Sequence, residues 1–335
     1  MTLIIFRGTR AYAFVLILAC VLCSITTVAL AKHHTGFDLI GLVENPGPFD
    51  NADLTADDTH FTDAELFDFL TGADGGGGFV DTGAQKNTLL RYYVAAVFDD
   101  GSRVVYSFGA IDPSFGQQQN WLGSLGFGDV SKLDKLLVLS VTPLSRVIGT
   151  AEFGTPSEEF ILTGWVRHPR TYGLWALQHF PIQETVIEPG TDEFDPRAFT
   201  GVPLWALLKR HGIITDPNDP RFNPKVYGLI VVVTGTDNYK AVFSLGEVIA
   251  RRSDHKANNG QPDDLLVAYK VDGGLLDPED QIARIVALGD DRHGRWVSAI
   301  KGIEVFTTNP CEGPKCFRFR HHRSDDRDDH DDQHD

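Results

Sequence analysis

The chain has 335 residues, a formal net charge of −16 and 42% hydrophobic residues. That apolar fraction can fill sizeable cores, and the length fits two domains. So acidic a surface repels nucleic acid and anionic lipid, which argues against either as a partner.

In chain order, an export signal comes first. Arg7 and Arg10 give a positive start, residues 11–22 form an almost unbroken apolar run, and Ala29-Leu30-Ala31 offers the small-x-small pattern read by signal peptidase. The expectation is a signal peptide over residues 1–31, with Lys32 opening a periplasmic or secreted mature chain. An uncleaved anchor is one alternative, because residues 11–31 approach the roughly 20 apolar residues that span a bilayer. Lipidation at Cys20 is the other, and it would leave an apolar stretch directly behind the lipid. No later segment is apolar enough to span, so no membrane association is expected after cleavage. Cleavage would expose Lys32-His33-His34. A free amine with histidine third in the chain can wrap Cu(II) or Ni(II) in a square plane of nitrogens.

The remaining pattern is mixed α and β. Strand-like runs fall at residues 39–43, 89–98, 103–108 and 136–141, then at 160–166, 228–233, 241–243, 266–271 and 282–288. A helix is expected over 61–71, with Thr62 as N-cap and Glu65 three residues on. A second is expected over 204–211, between Pro203 and Gly212. No strand–helix–strand alternation is present, which argues against a doubly wound parallel sheet. The glycine run at 74–78 reads as a flexible loop. It is not a phosphate loop, because no Gly-Lys-Ser/Thr follows.

The chain also resembles itself. Phe37-Asp-Leu-Ile-Gly-Leu-Val-Glu-Asn-Pro46 matches Phe160-Ile-Leu-Thr-Gly-Trp-Val-Arg-His-Pro169. Val105-Tyr-Ser-Phe-Gly-Ala-Ile111 matches Val242-Phe-Ser-Leu-Gly-Glu-Val248, and Leu136-Leu-Val138 matches Leu265-Leu-Val267. Three matches in one order point to two tandem copies of one domain, over residues 37–150 and 158–307, followed by a tail at 308–335. Of the four cysteines, Cys20 and Cys23 leave with the signal. Cys311 and Cys316 remain, and in an oxidising compartment a local disulfide between them is expected, with a metal pair as the alternative. The tail is charged and nearly free of apolar residues, so it is expected to be disordered. His321, His322, His330 and His334 lie in it among aspartates, a tract that can hold divalent ions loosely or simply solubilise the chain.

One set of motifs carries a family resemblance. Phe199-Thr-Gly-Val-Pro-Leu-Trp-Ala-Leu-Leu208 is followed by Val231-Val-Val-Thr-Gly-Thr-Asp-Asn-Tyr-Lys-Ala-Val-Phe-Ser-Leu-Gly-Glu247. Then come Leu265-Leu-Val-Ala-Tyr-Lys-Val-Asp-Gly-Gly274 and Val286-Ala-Leu-Gly-Asp-Asp-Arg-His-Gly-Arg-Trp-Val297. Over residues 158–307 this string resembles the molybdopterin-binding oxidoreductase domain of the sulfite oxidase type, and the first copy is a degenerate version. The resemblance implies an α+β, β-rich fold with a pterin groove. It also implies a cysteine thiolate on molybdenum upstream of the Gly-Val-x-Leu-x-x-Leu-Leu helix, and a lysine after the final arginine. Here residues 183–199 hold no cysteine, and Ser298 stands at the lysine's position. Carboxylate or hydroxyl groups replace a soft donor poorly. Molybdopterin remains a possible ligand, but no protein-ligated molybdenum is expected.

A groove of this type would be lined by Asp237, Asn238 and Tyr239 in one turn and by Arg292, His293 and Arg295 in one loop. The first set also suits a plain hairpin. The second suits an anion site or a solvated basic loop. Glu247 is a candidate base, or else begins a short helix or pairs with Lys240. No catalytic residue is assigned. Three readings follow: an exported non-catalytic domain that binds a small anionic ligand or a protein partner, an active molybdopterin-dependent oxidoreductase, and a periplasmic copper or nickel handling protein.

Overall fold

The computed structural model describes residues 36–54, 61–72, 74–80, 87–115, 129–141, 158–188, 195–214, 219–221, 223–252, 265–290 and 292–308. The residues expected to form the signal peptide, the histidine ends and the Cys311–Cys316 pair lie outside them. Among the described residues no helix is long and apolar enough to cross a membrane.

Among the described residues the fold is α+β and strand-rich, with three sheets. The first contains β1 (Gly36–Gly41), β2 (Gly47–Asp50), β3 (Tyr92–Phe98), β4 (Arg103–Ser107) and β5 (Leu133–Ser140), in the order β2-β1-β5-β3-β4. The second contains β6 (Glu159–Gly164), β7 (Arg170–Gly173), β10 (Leu229–Gly235), β11 (Lys240–Ser244) and β15 (Ile300–Thr307), in the order β7-β6-β15-β10-β11. Each sheet has one parallel pair, β1 with β5 and β6 with β15, and is otherwise antiparallel.

The two sheets agree residue by residue. Leu39 lies opposite Leu136 as Leu162 lies opposite Ile303. Val94 pairs with Val138 and Tyr106 as Val231 pairs with Val305 and Phe243. A register shift falls between Val97 and Phe98 in one sheet and between Thr234 and Gly235 in the other. Gly41 and Gly164 both adopt positive φ, +116° and +89°, where a Cβ would strike the carbonyl of Val138 or Val305 at 2.1 or 2.2 Å. Only glycine tolerates both constraints. Phe37 stacks on Phe49 as Phe160 stacks on Tyr172.

The third sheet belongs to the later segment alone among the described residues. It comprises β8 (Glu184–Glu188), β9 (Arg197–Pro203), β12 (Leu265–Val271), β13 (Gly274–Leu275) and β14 (Arg284–Ala287), all antiparallel. This placement corrects one sequence match. Leu265–Val267 lies in the third sheet, whereas the strand occupying the place of β5 is β15.

Helices are short: α1 (Asn51–Leu54), α2 (Asp63–Thr71), α3 (Phe108–Ile111), α4 (Leu174–Gln178), α5 (Leu204–Arg210) and α6 (Leu245–Ala250). The expected capping box forms on α2. Thr62 Oγ1 accepts from the Glu65 amide at 3.2 Å, and Glu65 Oε2 accepts from the Thr62 amide at 2.8 Å. Such a cap contributes about 1 kcal/mol. The glycine run is ordered, contrary to expectation. Gly76 and Gly78 donate to the Phe69 and Leu70 carbonyls, closing the end of α2. A Cβ on Gly75 would meet the Phe69 carbonyl at 2.2 Å, so glycine is needed for that wrap.

One apolar core runs beneath the inner faces of the sheets and their helices. A smaller cluster lies where the outer faces of the first two sheets meet: Ala95 and Val105 against Ile230, Val232 and Val242. Ala95 and Val105 occupy the same register positions as Val232 and Val242, so equivalent surfaces bury each other. Short 3-10 turns at Thr88–Arg91 and Pro224–Gly228 pack reciprocally, the first on β11 and the second on β4.

Candidate functional site

Two groups of side chains gather the residues singled out by the sequence. The first is a buried ionic network. α6 carries Glu247, with Ser244 Oγ capping the helix by accepting from the Glu247 amide at 3.1 Å. Arg251 closes the same helix, Asp290 follows β14, and Arg295 ends the 3-10 turn His293–Arg295. Arg295 donates from Nε to Asp290 Oδ2 at 2.6 Å and from Nη1 to Glu247 Oε1 at 2.5 Å. Arg251 Nη2 donates to Asp290 Oδ1 at 2.9 Å. From the first sheet's end, Ser107 Oγ donates to Glu247 Oε2 at 2.8 Å. The guanidinium of Arg295 also lies 4.9 Å from the Phe243 ring centre.

This network overturns the exposed anion role expected of Arg295 and the Lys240 pairing of Glu247, while Glu247 does lie in the first turn of a short helix, as the alternative had it. Arg295 is fully buried and held by two carboxylates, so it is not an exposed anion ligand. Burial alone would lower the pKa of its guanidinium, but Asp290 and Glu247 outweigh that and hold it above the ordinary arginine value. Glu247 pairs with Arg295 and Arg251 rather than with Lys240, whose ammonium donates to Thr234 Oγ1 at 2.9 Å. Glu247 is fully buried, with Oε1 held by Arg295 and Oε2 by Ser107, so it is enclosed within the network. Gly109 in α3 is part of the same joint, because a Cβ there would meet Arg295 Cδ at 2.3 Å.

The Asp237–Tyr239 segment is a self-satisfied hairpin. Asn238 sits at φ +63° and donates its amide to the Gly235 carbonyl, and Asp237 Oδ1 accepts from the Tyr239 amide at 2.8 Å. The Tyr239 hydroxyl accepts from Asn87 Nδ2 at 2.9 Å and donates to the Gly294 carbonyl. It thereby ties the turn to the His293 loop instead of lining an open groove.

The second group is a basic corner on the third sheet. Phe199 and Trp296 meet edge to face, with ring centres 5.4 Å apart. Arg197 lies 5.1 Å over Phe199, Arg284 lies 5.5 Å from the Trp296 centre, and His293 stacks on Trp296 at 4.0 Å. Arg292 is exposed next to His293. Two acids temper the charge: Glu188 Oε1 is 2.7 Å from His293 Nε2, and Asp280 Oδ2 is 2.7 Å from Arg284 Nη1. Arg284 Nε is buried with no hydrogen-bond partner among the described residues. Arg197 and Arg284 were missed from sequence, because only the pairing of β9 and β14 with β12 brings them beside residues 292–296.

Neither group fits a protein-ligated molybdenum. The chain has no cysteine between Cys23 and Cys311. Among the described residues no three His, Cys, Asp or Glu side chains gather as a metal-ligand set. Arg295, the anion-binding candidate, is held by the protein's own carboxylates.

No family model matches the chain, and no curated protein matches it. Among solved structures the chain is similar to the crystal structure of the sulfane dehydrogenase SoxCD from Paracoccus pantotrophus, with 18% sequence identity and a TM-score of 0.32. That similarity covers 47% of this chain and 40% of the other, so the chain spans well under half of that protein's length.

Proposed function

We propose that the chain is an exported, non-catalytic binding protein built from two tandem copies of a molybdopterin-type unit, and that its basic corner holds a small anion. The observation that carries this reading is the division of the cations. Arg295 is consumed inside the network, whereas Arg197, Arg284 and His293 gather on the Phe199–Trp296 pair with Arg292 exposed beside His293, and Arg284 Nε lacks a partner among the described residues. Local positive charge on so acidic a chain concentrates anions at that point. An arginine fork matches the oxygens of a phosphate, sulfate or carboxylate group.

The test is titration of the full chain with inorganic phosphate at constant ionic strength, read by calorimetry. Saturable binding that weakens about tenfold in both Arg284→Gln and Arg292→Gln supports the corner. Binding unchanged in both variants removes it.

A further inference from the structure

The reciprocal packing of the first two sheets creates two equivalent seams, and their charges differ. At one seam the 3-10 turn Pro224–Gly228 rests on β4. There Arg103, at the start of β4, donates from Nη1 to the Thr308 carbonyl at 2.6 Å. At the other seam the turn Thr88–Arg91 rests on β11. Asn87 fixes that contact through its 2.9 Å bond to the Tyr239 hydroxyl, and the Arg91 carbonyl accepts from the Val141 amide at 2.9 Å.

Register identifies the counterparts. Lys240 takes the place of Arg103, because Thr234 pairs with Lys240 as Val97 pairs with Arg103. Arg91, just before β3, takes the place of Gly228, just before β10. Lys301 takes the place of Asp134, both lying within the register shift between β5 or β15 and its antiparallel neighbour. Glu304 takes the place of Leu137, since Val232 faces Glu304 as Ala95 faces Leu137. The second seam therefore carries three cations against one carboxylate, where the first carries Arg103 and Asp134.

Lys240 feels the other three groups. After burial itself, Arg91 is the next largest influence lowering the Lys240 ammonium's pKa, Lys301 adds to it, and Glu304 opposes it. All four are partly buried. Arg91 Nε is buried with no hydrogen-bond partner among the described residues. Lys240 spends one bond on Thr234 Oγ1, and an ammonium has three to give. Cations pressed together in a half-dry seam are costly unless something negative joins them.

We infer that the seam between the turn Thr88–Arg91 and the β11–β15 face is a second anion site, in which Arg91, Lys240 and Lys301 hold a small tetrahedral oxyanion of the phosphate or sulfate class. It is separate from the corner at Arg284 and Arg292 and does not depend on it. Both units contribute to the site, so binding there also clamps the two sheets together.

The test uses the full chain and inorganic phosphate, with sulfate and chloride at matched ionic strength as companion titrants. Arg91→Gln and Lys240→Gln each weaken the seam component about tenfold, and Glu304→Gln strengthens it severalfold by removing the opposing charge. Arg103→Gln, the register equivalent at the other seam, leaves it unchanged. Run in an Arg284→Gln/Arg292→Gln background, the same series reads the seam alone, so failure of the corner and failure of the seam are distinguishable. A phosphate response untouched by Arg91→Gln and Lys240→Gln overturns the site. So does a response that Arg103→Gln weakens equally, which marks a general charge effect. A response to chloride as strong as that to phosphate overturns it as well.

Discussion

The first and second sheets differ little in backbone and greatly in charge. Both use the same strand order, the same glycine at the end of the first strand and the same register shift. Yet Ser107 and Ser244, at matched positions, do different work. Ser244 caps its own helix, while Ser107 leaves its helix uncapped and reaches across to Glu247. Glu247 itself replaces an alanine, Ala110, in the matched position. Backbone geometry is set by glycines, hairpins and apolar alternation, which the two sheets share. Chemistry is set by a few side chains at the contact between them, and these have diverged.

The largest effect is expected where the divergence is deepest. Arg295→Met leaves Glu247 and Asp290 buried with the Arg251 guanidinium as the remaining cation of the network, and should cost about 3–5 kcal/mol in urea unfolding. A loss below 1 kcal/mol would show that the network does not join the sheets. Next come Gly41→Ala and Gly164→Ala, which share the positive φ and the backbone collision. Each should lose about 2–3 kcal/mol, from strain and displacement of the neighbouring strand. Markedly unequal losses would break the structural equivalence of the two sheets.

The smallest effect separates the sheets by pH. Tyr172 in β7 matches Phe49 in β2, and only Tyr172 has a polar partner there. His211 Nδ1 meets the His168 carbonyl, which can only accept, so Nδ1 carries the proton and Nε2 accepts from the Tyr172 hydroxyl at 2.5 Å. Burial, the largest influence, lowers the pKa of His211 below the ordinary histidine value. A lowered folded-state value means stability present above the ordinary histidine range and lost as pH falls through the folded value. Thermal unfolding across that range should show this loss in the wild type and a flatter profile in His211→Gln. Identical profiles would remove the assignment.

Much of the scaffold was legible in the sequence. The capping box at Thr62 and Glu65 is local, and so is the helix between Pro203 and Gly212. The Phe37 and Phe160 strings mark strands that occupy matching places, because Gly at positive φ and the stacked aromatic are specific requirements. Leu136-Leu-Val138 misled because a bare apolar triplet fits any buried strand, and its true counterpart in β15, Ile303-Glu-Val305, carries a charge on the outer face. Edge strands β2, β7 and β8 were missed because they are short and contain glycine, proline or charges, and the central strands β9 and β15 were missed as well. The fate of Arg295 was not legible at all. Its partner Glu247 lies 48 residues earlier and reaches it only after the 3-10 turn folds onto α6.

The proposal that the chain is a non-catalytic binding protein rather than a molybdenum enzyme is tested most directly by elemental analysis. The full chain, made in a host that synthesises the molybdenum cofactor and purified without chelator, should contain molybdenum far below one atom per chain. One molybdenum per chain, retained through gel filtration and accompanied by pterin fluorescence after oxidation, would contradict the account.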